Sequence, residues 1–263
     1  MELTFYKYQA TGNDFVMLDD RDGQLAERLS PKAVARLCHR RFGIGADGLI
    51  LLQSHPEYHF KMQYYNSDGG LSTMCGNGGR SLVAFARDLG IEADIYSFEA
   101  IDGLHHARIK EGLVELQMTA PKGFKSLADG QYWLDTGSPH YVGFFDTDVA
   151  ELEVVAEGKR IRNSEAFAPG GTNVNFVNIL NESELSVRTY ERGVEDETYS
   201  CGTGVTACAL VHLYNSKRKS GEIKLHTPGG KLRVKLDEEG DVFLTGPAER
   251  VFSGKITLSA ISD

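Results

Sequence analysis

Hydrophobic and polar positions alternate in short runs along most of the chain, a two-residue rhythm that predicts strands. Residues 3–8 and 15–19 read as paired strands around the polar turn Ala10-Thr11-Gly12-Asn13-Asp14. Residues 49–52 and 59–65 follow, the latter ending at Asn66-Ser67-Asp68-Gly69-Gly70. Residues 95–100, 104–110 and 113–118 form a run of short strands joined by Asp102-Gly103 and Glu111-Gly112 turns. Helical spacing interrupts this at residues 31–41, with Ser30 as cap and Pro31 in the first turn. It returns at residues 81–89, ending near Gly90.

Ala120-Pro121-Lys122-Gly123 breaks the pattern, and beyond it the pattern starts again. Strands are expected at 131–136, 141–145, 174–179 and 184–191, then at 223–227, 231–236 and 242–245. Helices are expected at 148–161 and 205–214. The alternating run 254–261 is expected to return to the first sheet. The predicted organisation is two domains, 1–119 (with 252–263 returning to it) and 120–251, of α/β (α+β) class. Identity between the halves is low, so the repeat lies in element order.

Composition narrows the function classes. With 41% hydrophobic and 25% charged residues the chain is that of an ordinary soluble globular protein. A net charge of −9 without a basic block argues against nucleic acid as a partner. The first residues lack the apolar core of a signal peptide, and no run of eighteen apolar residues predicts a membrane span. A cytoplasmic location is the expectation. The loop Phe42-Gly43-Ile44-Gly45-Ala46-Asp47-Gly48 precedes a strand and opens no helix, so a nucleotide fingerprint fails its structural test.

Four cysteines without Cys-x-x-Cys spacing indicate neither a disulfide scaffold nor a zinc site, and no metal is expected. Cys38 and Cys208 sit in helical apolar runs and read as small buried hydrophobes. Cys75 and Cys201 differ: each opens a Cys-Gly-X-Gly stretch at the mouth of a helix. A helix N-terminus lowers a thiol pKa and offers N–H groups to an anion. A thiolate that removes a proton from carbon, with a thiol that delivers one to the opposite face, inverts a stereocentre without a cofactor. Helix-mouth amides aimed at the adjacent carboxylate stabilise the carbanion. His140 and Glu191 are candidates to tune the thiols, and the loop amides Asn13, Asn66, Asn77 and Asn173 suit a second amino-acid head group.

The segments Ala10-Thr11-Gly12-Asn13-Asp14-Phe15, Asn66-Ser67-Asp68-Gly69, Met74-Cys75-Gly76-Asn77-Gly78-Gly79-Arg80, Tyr190-Glu191-Arg192-Gly193 and Ser200-Cys201-Gly202-Thr203-Gly204 together resemble the diaminopimelate epimerase family. The resemblance implies two pseudo-symmetric domains, each a β-barrel-like mixed sheet around a central helix, and a homodimer. It implies a PLP-independent isomerase that interconverts LL- and meso-diaminopimelate in lysine and peptidoglycan precursor synthesis. By the same resemblance Cys75 and Cys201 are the acid/base pair. Gly76, Asn77, Gly202 and Thr203 bind the reacting carboxylate, and Asn13, Asn66, Asn173, Glu191 and Arg192 line the pocket. Arg192 would take the distal carboxylate, and Phe252 marks a dimer contact.

Three features depart from the family pattern: Ser138 stands where asparagine is frequent, Gly48 where some members carry glutamine, and the Gly193–Thr198 link is acidic. The alternatives are a cofactor-free racemase of the proline racemase or hydroxyproline epimerase type, a relative with an acidic residue in place of the thiols, and a non-catalytic binding protein of the same fold.

Overall fold

The computed structural model describes residues 2–128 and 130–257. The chain divides into two compact units, Met1–Leu116 with Pro247–Asp263, and Gln117–Gly246.

In the first unit, β1 (Glu2–Ala10) and β2 (Asn13–Asp19) form a hairpin over the two-residue turn Thr11-Gly12. Both turn residues have positive φ, 49° and 86°, as the tightest hairpin loops require. Helix α1 (Pro31–Cys38) follows, capped by Ser30, whose Oγ accepts from Ala33 N at 3.2 Å. Then come β3 (Gly48–Gln53), β4 (Phe60–Asn66), β5 (Leu71–Ser72), helix α2 (Gly76–Asp88), β6 (Tyr96–Ala100), β7 (Gly103–Lys110) and β8 (Leu113–Met118). β2 and β3 are parallel, as are β4 and β6, and the remaining pairs in this unit are antiparallel. Strand β18 (Glu249–Thr257) lies antiparallel on the other side of β1.

The second unit repeats this plan. β9 (Lys122–Ser126) flanks β10 (Gln131–Asp135), as β18 flanks β1. β11 (Pro139–Phe144), α3 (Val154–Arg162), β12 (Asn173–Asn181), β13 (Glu184–Glu191), β14 (Asp196–Thr198) and α4 (Gly202–Asn215) follow. β15 (Gly221–Thr227), β16 (Gly230–Leu236) and β17 (Val242–Gly246) close the unit. Each pairing keeps the sense of its counterpart: β11–β12 and β13–β15 are parallel, the rest antiparallel. The repeat of element order is therefore a repeat of topology.

The two Cys-Gly helices are the central ones. Leu82–Ala86 of α2 are buried, with Phe85 against the rings of Tyr6 and Tyr8 at 5.1 and 5.6 Å. Helix α4 is buried from Gly204 to Leu213, which its apolar run on every face demands. The outer helices have one buried stripe each. Val34, Leu37 and Cys38 of α1 pack on Val16, Leu18, Leu49 and Leu51, and Val154 and Ile161 of α3 on Val174, Phe176 and Tyr190.

Several expected boundaries move. The helix expected over 148–161 is broken into a turn at Val149–Glu151 and α3. At the break Arg188 Nη1 donates to the carbonyls of Val149, Ala150 and Leu152 at 2.8, 3.1 and 3.1 Å, satisfying acceptors that a continuous α-helix would have paired four residues on. The same guanidinium pairs with Glu197 at 2.7 Å and Arg162 pairs with Glu195 at 2.7 Å, which accounts for the acidic link. Helix α1 stops at Cys38 instead of reaching 41, because Ile44 N and Gly45 N take the Leu37 carbonyl. The Ala120–Gly123 break opens into β9. The strand expected at 254–261 begins earlier, at Glu249, and its residues 258–261 lie outside the described residues.

Candidate active site

In the first unit Cys75 is the N-cap of α2, and its Sγ accepts from Gly78 N at 3.2 Å. A thiol that accepts a backbone hydrogen bond at a helix N-terminus has its anionic form favoured. The glycines make this approach possible: a Cβ on Gly78 would stand 3.1 Å from that sulfur, and one on Gly79 3.0 Å from Leu116 and Met74. Asp102 Oδ1 anchors the preceding residue, accepting from Met74 N at 3.1 Å.

Asn77 donates to Asn13 Oδ1 at 3.2 Å, and Asn13 donates to Asp47 Oδ2 at 2.7 Å. Asn77 Oδ1 in turn accepts from Arg80 Nη2 at 3.0 Å. Arg80 has 0% exposure and bonds otherwise to Gly76 O, Thr11 Oγ1 and Pro247 O, all uncharged. Burial lowers its pKa to about 10, with the Cys75 charge acting the other way. The base of this loop is held by Asp14, bonded to Arg40, Lys7 and Asp47 N. Burial alone raises the Asp14 pKa, but hydrogen bonds from Arg40 and Lys7 outweigh it and bring it to about 2.

In the second unit Cys201 is the N-cap of α4 and its Sγ lies 3.4 Å from Thr203 Oγ1. Thr203 Oγ1 is 2.9 Å from His140 Nε2 and 3.1 Å from Ser138 Oγ, which is itself 3.0 Å from His140 Nε2. His140 is fully buried, and burial, reinforced by the Arg192 charge, lowers its pKa to about 3. It is a neutral imidazole at physiological pH. Asn175 Nδ2 meets His140 Nδ1 at 3.1 Å. Asn173 donates to Ser138 Oγ and Pro139 O at 3.2 and 3.0 Å and accepts Arg192 N at 2.8 Å. Glu191 Oε2 accepts from Thr198 Oγ1 at 2.9 Å, and Arg192 Nη1 donates to Gly170 O at 3.2 Å.

Most expected site residues thus fall into two clusters, one per unit, at corresponding positions of the repeat. Cys75, Gly76, Asn77 and Asn13 gather at the β2 start and the α2 mouth. Cys201, Gly202, Thr203, His140, Asn173 and Arg192 gather at the β11 and β12 starts and the α4 mouth. Asn66 and Glu191 end the equivalent strands β4 and β13. Asn66 is in register with Gly48, and its backbone closes the turn to Gly69 and Gly70. Phe252 belongs to neither cluster: it lies on β18, 46% exposed, its ring 6.0 Å from Phe5. At Gly48 a Cβ would meet Tyr64 Cε2 at 2.5 Å and Tyr65 O at 2.7 Å, so the fold here requires the glycine.

Sequence reading assigned no role to Arg80 or Asn175. Both carry a positional signal. Arg80 is one turn after Asn77 on α2, and Asn175 is two residues after Asn173 on β12, which puts the two asparagines on one face. Cys38 and Cys208 are buried as expected, and burial pushes the Cys38 thiol up to about 12. Among the described residues no group of three or more His, Cys, Asp or Glu is placed to hold a metal, and no helix is long and apolar enough to cross a membrane.

The fold is shared with a phenazine biosynthesis protein of the PhzF family from Bacillus anthracis, at a TM-score of 0.77 and 14% identity over 98% of this chain and 99% of that one. It is shared with a probable proline racemase from Agrobacterium radiobacter, at a TM-score of 0.68 and 15% identity over 97% and 93% of the two chains. These likenesses define a fold group of duplicated α/β units. Within it, residues 5–122 and 132–251 match the family model described as diaminopimelate epimerase. The chain is 49% identical to the diaminopimelate epimerase of Flavobacterium psychrophilum, over 97% of this chain and 100% of that protein. It is 40% identical to that of Aquifex aeolicus, over 97% and 98%. The chain belongs to the diaminopimelate epimerase family.

Proposed function

We propose that the chain interconverts LL- and meso-diaminopimelate, with Cys75 and Cys201 as its acid and base and without PLP. The observation that carries this reading is the repeat itself: each copy of one topology caps its buried central helix with a cysteine. One thiolate takes the α-hydrogen and becomes a thiol. The other thiol delivers its hydrogen to the opposite face of the carbon and becomes the thiolate, so the reverse reaction needs only an exchange of roles. The amides of Gly76, Asn77, Gly202 and Thr203 receive the carboxylate on which charge accumulates.

Asn13, Asn66, Asn173, Glu191 and Arg192 recognise the remaining amino and carboxyl groups, with Arg192 on the distal carboxylate. His140 and Glu191 tune the thiols. We place the protein in the cytoplasm as a homodimer with Phe252 in its contact, acting in lysine and peptidoglycan precursor synthesis.

Incubation with LL-diaminopimelate in D₂O tests the reading. Formation of meso product carrying deuterium at one α-carbon is expected. Absence of both product and deuterium, with proline and hydroxyproline racemised instead, would replace it by the racemase alternative.

A further inference from the structure

The hydrogen bonds around His140 have a direction that can be worked out from two fixed points. Asn175 Nδ2 lies 2.7 Å from the Tyr141 carbonyl, which only accepts, so this end of the side chain is the amide nitrogen. Its Oδ1 correspondingly accepts from Thr189 Oγ1 at 3.0 Å. The second hydrogen on that nitrogen points to His140 Nδ1, which must be the acceptor, so the neutral ring carries its hydrogen on Nε2.

Asn173 is fixed in the same way. Arg192 N–H donates to its Oδ1, so its Nδ2 is the donor that meets Ser138 Oγ. Ser138 Oγ therefore receives hydrogens from Asn173 and from the Nε2–H it shares with Thr203. Nε2, which carries the ring hydrogen, has no lone pair with which to accept, so the hydrogen of Ser138 goes to Thr203 Oγ1. Thr203 Oγ1 then accepts from both Ser138 and His140. A hydroxyl has two lone pairs and one hydrogen. With both pairs used, the hydrogen of Thr203 is left for Cys201 Sγ.

We propose that Thr203 is a positioning residue whose hydroxyl gathers the donors of Ser138 and His140 and delivers one hydrogen bond to Cys201 Sγ, holding that sulfur ready as the thiolate. The proposal deepens the reading of Cys201 as an acid/base residue and rests on it for its catalytic consequence. His140 acts on Cys201 through Thr203 and as a neutral donor, not as a cation. The other ionisable groups bearing on the cluster are Arg192, whose charge acts on His140, and Cys208, which feels Cys201 from within α4. Ser138 has a definite place in this scheme: it supplies a hydrogen that a side-chain amide in its place would have to supply from nitrogen.

The test is the pH dependence of Cys201 alkylation by iodoacetamide, read peptide by peptide by mass spectrometry in a Cys75→Ala background. Thr203→Val keeps the backbone amide and the shape while removing the hydroxyl. It is expected to slow alkylation at neutral pH about ten- to hundredfold, the range for a hydrogen bond to a charged group. The titration midpoint should move up, and Thr203→Ser should restore both. A Thr203→Val profile superimposable on that of the parent would overturn the proposal.

Imidazole ¹⁵N chemical shifts of the unmodified protein give a second measurement that needs no variant. A neutral ring protonated on Nε2 is expected at neutral pH, and an Nδ1–H ring or an imidazolium would break the chain of donors. The alkylation result is separable from epimerase activity. A shifted midpoint without diaminopimelate turnover leaves the hydrogen-bond assignment intact and removes the substrate reading.

Discussion

Asn13 and Asn77 share one hydrogen bond, Asn77 Nδ2 to Asn13 Oδ1 at 3.2 Å, across 64 residues of sequence. It ties the β1–β2 hairpin to the first turn of α2. Each amide is oriented from its far side, Asn13 by Asp47 and Asn77 by Arg80. The pair is thus fixed in advance of any ligand. This matters because amides that must turn to meet a substrate lose part of their binding energy to ordering.

Asn13→Asp tests this fixing. The new carboxylate still accepts from Asn77, but it faces Asp47 Oδ2 where a donor at 2.7 Å stood before. Two carboxylates at that distance repel, and one of them holds a proton to higher pH. The variant should lose stability by about 1–3 kcal/mol at neutral pH. Part of that loss should be recovered near pH 5. A urea midpoint that does not depend on pH relative to the parent would count against it.

Arg80 is the feature of the first cluster that the motif displays but does not explain. It is a buried guanidinium whose partners are Gly76 O, Asn77 Oδ1, Thr11 Oγ1 and Pro247 O. A buried cation is costly without a compensating negative charge, and a negative charge on Cys75, when that thiol ionises, acts to offset the burial. Arg80→Met is expected to slow alkylation of Cys75 at neutral pH about tenfold, the effect of removing a cation that favours the thiolate. Arg80→Lys should fall between the two. Equal alkylation rates in all three proteins would show that the charge does not act on the sulfur.

The legible part of the fold was its rhythm. Alternation marks strands, and both Cys-Gly helices were placed, because a buried central helix and a half-buried strand leave distinct periods. What escaped was set by long-range partners. The carbonyls at the break before α3 are satisfied by Arg188, remote in sequence, and nothing in residues 148–161 announces it. The site was legible where glycine and cysteine coincide at a helix mouth. Asn175 was not assigned a role, since its spacing from Asn173 gives only a shared strand face, and its partners Gly204 and His140 are remote in sequence.

His140 makes stability depend on pH in a direction that can be assigned. Its folded pKa, about 3, lies below the ordinary 6.5. Between these values the unfolded chain binds a proton that the folded chain refuses. The stabilising contribution is therefore fully present above about pH 6.5 and is lost as pH falls toward 3. His140→Gln, which does not titrate, should be less stable than the parent at pH 7.5 and should lose less on going to pH 5. Parallel stability curves for the two proteins between those pH values would remove His140 as the cause.

Gly204 is where the second cluster is most tightly specified. A Cβ there would stand 2.4 Å from Asn175 Oδ1, 3.3 Å from Cys201 Cβ and 3.3 Å from His140 Cε1. None of the three is free to retreat. Asn175 is held by Tyr141 O and Thr189, and the other two belong to the N-cap and to the fully buried ring. Gly204→Ala should therefore overpack the site, at about 1–3 kcal/mol, and turn Asn175 off His140. Lost turnover should accompany the lost stability, together with a change in the imidazole ¹⁵N shifts. Gly170→Ala is the control, because a Cβ at Gly170 meets nothing within 4 Å and that glycine does not have a positive φ. It should leave stability and ring shifts unchanged. Wild-type imidazole shifts in Gly204→Ala would mean that Asn175 does not set the ring's tautomer.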